Sequence, residues 1–318
     1  MEIVKVTDLK KVYGNFQAVN EISFSINQGE VFGFLGPNGA GKTSTINMLI
    51  GLSRPTSGQI YIDGIDAVKD IKKVQKIIGV VPDENNLYDE LDGFDNLCFC
   101  GSLYGMRKEE REKRAIELLE QFNLDKAAKR PFKTYSKGMR RKLTIAAGII
   151  HNPKILFLDE PTTGIDVESA RQIRELVLNL KKQGKTIFIT THYIEEAERI
   201  CDRIAFIVNG EIVKIDTVTE LMRSSEHEHK IKLQFDGSIN EIKELEESLK
   251  NCKVEIINKN SCLIISKERV PLYPVLKLLD RKDILVFEAK EIKPSLEDIF
   301  VKVTGIEASK LKKEEVEL

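Results

Sequence analysis

The run Gly36-Pro37-Asn38-Gly39-Ala40-Gly41-Lys42-Thr43, followed by Ser44, has the residue types and the G-x-x-x-x-G-K-[ST] spacing of a phosphate-holding loop. Glycines let the backbone wrap closely around phosphate oxygens, so successive N–H groups and the positive end of a following helix point inward. Lys42 adds a mobile positive charge, and Thr43 offers a hydroxyl ligand to Mg2+. Together these residues predict binding of β- and γ-phosphates, with the terminal one oriented for in-line attack.

A second constellation is acidic. Residues 155–160 read ILFLDE, an apolar strand ending in two carboxylates. Ligands of a doubly wound sheet gather at the carboxyl ends of its strands, so Asp159 and Glu160 should face the loop. Asp159 is expected to hold the magnesium ion, usually through water, and Glu160 to accept a proton from the attacking water. His192 follows the apolar stretch 186–189, again at a strand's carboxyl end, where it could contact the γ-phosphate or the water. The expected catalytic set is Lys42, Glu160 and His192. His151, before Asn152-Pro153 in a turn, and His227 and His229, in a polar run, receive no role.

Positioning these groups requires an α/β alternation. Ile22, Phe24 and Ile26 alternate with polar residues as in a half-buried strand, and residues 31–35 are wholly apolar, preceding the glycine loop and a helix. Strands are expected at 155–158, 186–189 and 204–208, with helices around 167–180 and 194–199 between them. The pattern predicts a buried, largely parallel sheet, interrupted by a helical insertion at 96–103, 108–121 and 140–150.

After Thr217 a Thr-x-x-Glu capping box opens a short helix that ends in the polar run 224–229. Beyond it the pattern changes to βαββαβ, a ferredoxin-like α+β unit: Ile231 to Phe235, a helix through Ile242, Leu245 and Leu249, Val254 and Ile256, 262–265, a helix through Val275 and Leu279, and 284–287. A last helix from about Ser295 carries Leu296, Ile299, Phe300 and Val303. The expected division is a nucleotide-binding domain 1–223, a linker 224–229, an accessory domain 230–304 and a charged tail 305–318.

Bulk composition narrows the function classes. Lys and Arg number 49 against 50 Asp and Glu, so no global basic field attracts nucleic acid, and no nucleic-acid partner is expected. No apolar stretch approaches the ~20 residues of a membrane span, and the N-terminus lacks a secretory apolar core, which points to the cytoplasm. The five cysteines form no disulfide framework and read as structural thiols.

Tyr135-Ser136-Lys137-Gly138-Met139, after the helical insertion, resembles the LSGGQ signature of ATP-binding cassette (ABC) ATPases. Roughly the first 220 residues carry the motifs of that family in order, a far more specific match than a phosphate loop alone. The resemblance implies an ATP-dependent head-to-tail dimer, homodimeric or with a second cassette, sandwiching two ATP molecules. In it, Ser136 and Gly138 reach the γ-phosphate bound by the opposite subunit. It also implies that Tyr13 stacks on adenine and that Asp166 belongs to the loop joining the two sites; a strand aromatic and a helix N-cap are the plainer readings. The signature departs from the family at Tyr135, Lys137 and Met139. Where the family commonly has a glutamine that touches magnesium or the attacking water, this chain places Asp83, expected here as a metal ligand.

The resemblance implies the detachable ATPase of a transporter, working on the cytoplasmic face with an integral membrane permease. The ending 294–305 resembles subunits that accompany drug, lipid or polysaccharide exporters. The competing expectations are a cytosolic cassette ATPase acting on ribosomes or DNA, and a regulatory module that only binds nucleotide.

Overall fold

In the computed structural model, residues 1–84, 86–223, 229–236, 249, 252–292 and 295–306 are described. By internal contacts the chain divides into two units, Met1–Val218 together with the end of the chain from Phe300, and Thr219–Ile299.

In the first unit, strands β1 (Glu2–Tyr13), β2 (Phe16–Asn27) and β3 (Val31–Leu35) precede helix α1 (Lys42–Leu49). Then come β4 (Ser57–Ile62), β5 (Ile65–Asp66), α2 (Ile71–Gln75) and β6 (Ile78–Val81). Helices α3 (Gly93–Leu103), α4 (Lys108–Gln121) and α5 (Lys137–Gly148) form the expected insertion. Strands resume as β7 (Ile155–Asp159), β8 (Thr186–Thr191), β9 (Arg203–Val208) and β10 (Glu211–Thr217), with α6 (Val167–Lys182) and α7 (Ile194–Ile200) between them.

Two sheets result. One is antiparallel, in the order β2-β1-β4-β5; the other runs β10-β9-β3-β8-β7-β6 and is parallel except for β10. Every residue of β3, β7 and β8 is buried, which explains their continuous apolar runs: a parallel strand covered on both faces has no polar side to alternate with. Phe188 lies at the centre of this core, with ring centroids 5.4 Å from Phe34, 5.6 Å from Phe157 and 6.0 Å from Phe32. Phe24 of the antiparallel sheet stacks on Phe32 at 5.6 Å, so one aromatic cluster joins both sheets. Because β3, β7 and β8 are parallel neighbours, their carboxyl ends lie side by side.

In the second unit, α8 (Val218–Arg223), which starts in the first unit, leads to β11 (His229–Asp236), β12 (Cys252–Asn258), β13 (Ser261–Ser266), α9 (Leu272–Asp280) and β14 (Leu285–Ile292). The sheet is antiparallel throughout, in the order β12-β13-β11-β14, the strand order of a βαββαβ unit. The helix expected through Ile242 and Leu245, linker residues 224–228 with His227, and the tail 307–318 lie outside the described residues.

Several boundaries differ from expectation. The unit division falls at Val218, ahead of 223. His229, expected in the linker, is the first residue of β11 and pairs with Ser266. β14 extends to Ile292 instead of ending at 287, because Lys230 to Gln234 of β11 offer hydrogen-bonding partners to Glu288–Ile292 despite the charges there. The last helix, α10 (Leu296–Thr304), brings Phe300 edge-on to Phe206 at 5.3 Å within the first unit. All five cysteines are free thiols. Among the described residues no helix is long and apolar enough to cross a membrane.

Candidate active site

The loop between β3 and α1 is shaped by its glycines. A Cβ on Gly36 would lie 2.1 Å from the Ile207 carbonyl oxygen, so only glycine fits. Gly41 has φ 102°, in the left-handed region, and a Cβ there would lie 2.5 Å from the Ala18 carbonyl oxygen. Gly41 caps α1 without a side-chain hydrogen bond, and the first turn holds no acidic residue. The helix start therefore presents backbone donors that no side chain of its cap answers, as an anion site requires. Lys42 is buried, and its ammonium donates to the carbonyls of Gly36 at 2.8 Å and Pro37 at 3.2 Å.

The same ammonium lies 3.1 Å from Glu160 Oε1. Glu160 follows β7 with φ 45°, a left-handed conformation that costs a non-glycine residue about 1–3 kcal/mol. Its N–H is held by Thr190, through the carbonyl at 3.2 Å and the hydroxyl at 3.1 Å. Its second oxygen meets His192 Nδ1 at 2.7 Å and accepts from the Thr163 hydroxyl at 3.1 Å. Burial opposes ionisation of this carboxyl. The His192 hydrogen bond and the Lys42 charge outweigh it and hold the group down at about 2.

Asp159 has the opposite balance. Burial pushes its carboxyl above the usual range, and the Glu160 charge adds to this, against hydrogen bonds from the Thr190 and Thr43 hydroxyls and the Lys42 charge. A buried carboxylate facing a neighbouring carboxylate is relieved by a cation, and Thr43 beside it offers a second oxygen donor, so the residues fit a small divalent ion. Asp83, in the turn after β6, is likewise raised by desolvation and by the Asp159 and Glu160 charges, with Arg141 opposing.

The structure thus brings Lys42, Thr43, Asp159, Glu160 and His192 into one cluster and sets Asp83 within its field. Ser136 and Asp166 are helix N-caps: Ser136 accepts from the Met139 N–H at 3.2 Å and Asp166 from the Ser169 N–H at 2.9 Å. Gly138 packs beside them, since a Cβ there would lie 2.1 Å from Ser169 Oγ and 3.8 Å from Asp166 Oδ2. The plainer reading of Asp166 is therefore correct for its local bond, and its exposure leaves the carboxylate accessible. Tyr13 ends β1 half-exposed, with its hydroxyl 3.5 Å from Ser53 Oγ and the Lys11 ammonium 4.7 Å from its ring centroid.

Three contributors escape the sequence reading: Thr163, Thr190 and Arg141. Thr190 sits in an apolar run where a threonine reads as a strand residue, and Arg141 in a basic stretch, KGMRRK, that reads as a solvated helix start.

A cleft of about 950 Å³ opens in the same unit between the β6 end and the turn joining α3 to α4, lined by Ile78, Val80, Leu103, Tyr104, Met106 and His151. His151, assigned no role above, forms part of its wall: Nε2 bonds the Ile78 carbonyl at 2.9 Å and the ring stacks on Tyr104 at 3.5 Å. Burial lowers its pKa, favouring the neutral ring.

A family model described as ABC transporter matches residues 19–163. The chain is 44% identical over 219 residues to the linearmycin resistance ATP-binding protein LnrL of Bacillus subtilis (strain 168), spanning 69% of this chain and 70% of that protein. It is 35% identical over 307 residues to the uncharacterized ABC transporter ATP-binding protein YhcH of the same organism, 94% of this chain and 96% of that one. Among solved structures, the dimeric post-hydrolysis state of the ATP-binding cassette MJ0796 bound to ADP and Pi matches with a TM-score of 0.63 at 29% identity, over 68% of this chain and 98% of that one.

Proposed function

The chain belongs to the ABC transporter family and is an ATP-binding, ATP-hydrolysing transporter subunit, and we propose that Glu160 is the general base through which it drives an export permease. The observation that carries this reading is the buried contact of Glu160 with both Lys42 and His192 at the mouth of the phosphate loop.

Against its burial, the His192 hydrogen bond and the Lys42 charge keep the Glu160 carboxyl ionised, which lowers its basicity. Lys42 must exchange Glu160 and the two loop carbonyls for phosphate oxygens when ATP enters. That exchange removes one of the charges depressing Glu160 and raises its basicity at the moment it is needed. His192 keeps the carboxylate oriented, and Thr163 and Thr190 hold its strained backbone and side chain. Magnesium, held by Thr43 and Asp159 with Asp83 as a further donor, would neutralise phosphate charge.

Ser136 and Gly138 are proposed to act on the nucleotide of a partner cassette, Asp166 to link the two sites, and Tyr13 to stack on adenine; the dimeric state of MJ0796 supports this reading. We divide the function as the sequence suggests: a motor in residues 1–223, a linker at 224–229, an accessory domain at 230–304 and a tail at 305–318. The cleft walled by Tyr104 and His151 suits a helical segment of the permease, which would place the subunit on the cytoplasmic face of the membrane. The resistance function in the name of LnrL supports export; the relatives give no support to action on ribosomes or DNA.

The deciding experiment is purification of the tagged chain from detergent-solubilised membranes, identification of co-purifying proteins by mass spectrometry, and ATPase assay with and without them. An integral membrane protein that changes turnover is the expected result; ribosomes or DNA in its place would overturn the transport reading.

A further inference from the structure

Arg141 lies in α5 and is only 3% exposed. Its guanidinium donates to four backbone carbonyls: Nε to Pro161 at 2.9 Å, Nη1 to Pro82 and to Asp83 at 2.9 Å, and Nη2 to Asp159 at 2.5 Å. These carbonyls belong to two segments of the site. Pro82 and Asp83 form the turn after β6, where Asp83 replaces the family's glutamine. Asp159 and Pro161 flank Glu160, whose φ of 45° is sparsely populated for any residue but glycine and persists only where its surroundings enforce it. Thr190 fixes the Glu160 N–H, and Arg141 fixes the carbonyls on either side.

We propose that Arg141 is a positioning residue: its planar fork locks the strained Glu160 backbone to the Asp83 turn and, through the rigid α5, ties both to the Ser136-Gly138 turn at the start of that helix. The assignment rests on the ATPase reading of the site above. A displacement of the signature turn by a partner's nucleotide would be felt at Glu160 and Asp83 through one side chain. Geometry demands arginine. Its five donors lie in a fixed plane and span four acceptors, whereas the three donors of a lysine ammonium radiate from one point. Burial lowers the Arg141 pKa to about 10, and the negative charges of Asp83, Asp159 and Glu160 oppose that fall.

The test uses the full chain as wild type, Arg141→Lys and Arg141→Gln, measuring Mg-ATP affinity with a fluorescent analogue, steady-state turnover, and hydrogen exchange resolved by segment. In both variants we expect affinity and KM to stay within about threefold and kcat to fall on the order of tenfold to a hundredfold, the signature of misplaced chemistry. Exchange should quicken at 82–84 and 159–163 while β3 and β8 keep their protection. Full turnover in Arg141→Lys would mean that charge alone suffices and would overturn the assignment. So would unchanged kcat in Arg141→Gln. Uniformly faster exchange, or loss of soluble chain in both variants, would assign Arg141 to the fold and overturn it equally. Wild-type chain that neither binds nor hydrolyses ATP would overturn the ATPase reading itself, a distinct result.

Discussion

Glu160 has two measurable signatures. As the proposed base, Glu160→Gln should lower kcat by at least about a hundredfold, since general base catalysis contributes about 10²–10⁴-fold, while ATP binding persists. Sedimentation of that variant with saturating Mg-ATP should show a dimer; a monomer would count against the sandwich. The second signature is in stability. The folded carboxyl sits at about 2, below its ordinary 4.5, so its stabilising contribution is fully present above pH 4.5 and is lost as pH falls towards 2. A shift of this size corresponds to about 3 kcal/mol, and acid titration of unfolding should show a correspondingly flatter profile in Glu160→Gln than in wild type. Asp83 offers the complementary test. Replacing it by glutamine should raise turnover or its stimulation by the permease, measured in the reconstituted complex, because the amide restores a donor that aspartate lacks. No change in either would remove Asp83 from the mechanism. At this scale the sequence was informative where chemistry needs a residue type at a fixed spacing, as with Lys42, Thr43, Asp159, Glu160 and His192. Arg141 was invisible because its partners are carbonyls, and every residue has one.

Elements were legible to the extent that burial left a pattern. The wholly buried β3, β7 and β8 appear as apolar runs, and the insertion helices follow from apolar spacing. The alternation at the N-terminus and the strand reading of Tyr13 agree with β1, although its pairing with β2 shifts register repeatedly. β6 has four residues, too short for a periodic signal. At the start of α5 the packing itself yields a prediction. Gly138 has no room for a Cβ, which would lie 2.1 Å from Ser169 Oγ and 2.6 Å from Ser169 Cβ. Gly138→Ala should destabilise the chain by about 1–3 kcal/mol through overpacking, read by thermal unfolding. Ser169→Gly in the same chain should recover most of that loss, because it removes both clashing atoms. Failure of the double variant to recover would mean that the glycine is needed for something other than this contact.

The whole molecule joins a motor whose plan the sequence displays to an accessory unit whose purpose it does not. The four strands and the helix Leu272–Asp280 were readable from strand and helix periods, but a βαββαβ fold carries no chemistry of its own, and only sites built on it define a role. The division between the units was harder to place, because a boundary depends on which distant residues touch. Phe300 shows why. It lies beyond the accessory strands in sequence, yet it is completely buried and meets Phe206 of β9 at 5.3 Å, inside the unit that holds the nucleotide site. The chain therefore returns to the motor after completing the second sheet. Removing the ring should cost about 3–5 kcal/mol, the range for a buried phenylalanine replaced by alanine. Because β9 is the parallel neighbour of β3, which leads directly into the phosphate loop, the loss should fall on the motor. Phe300→Ala should thus lower the unfolding temperature measured in the presence of ATP and leave β11–β14 with their hydrogen-exchange protection. If protection is lost in that sheet and kept in β9 and β3, Phe300 supports the accessory unit, and the motor is complete without the chain's return.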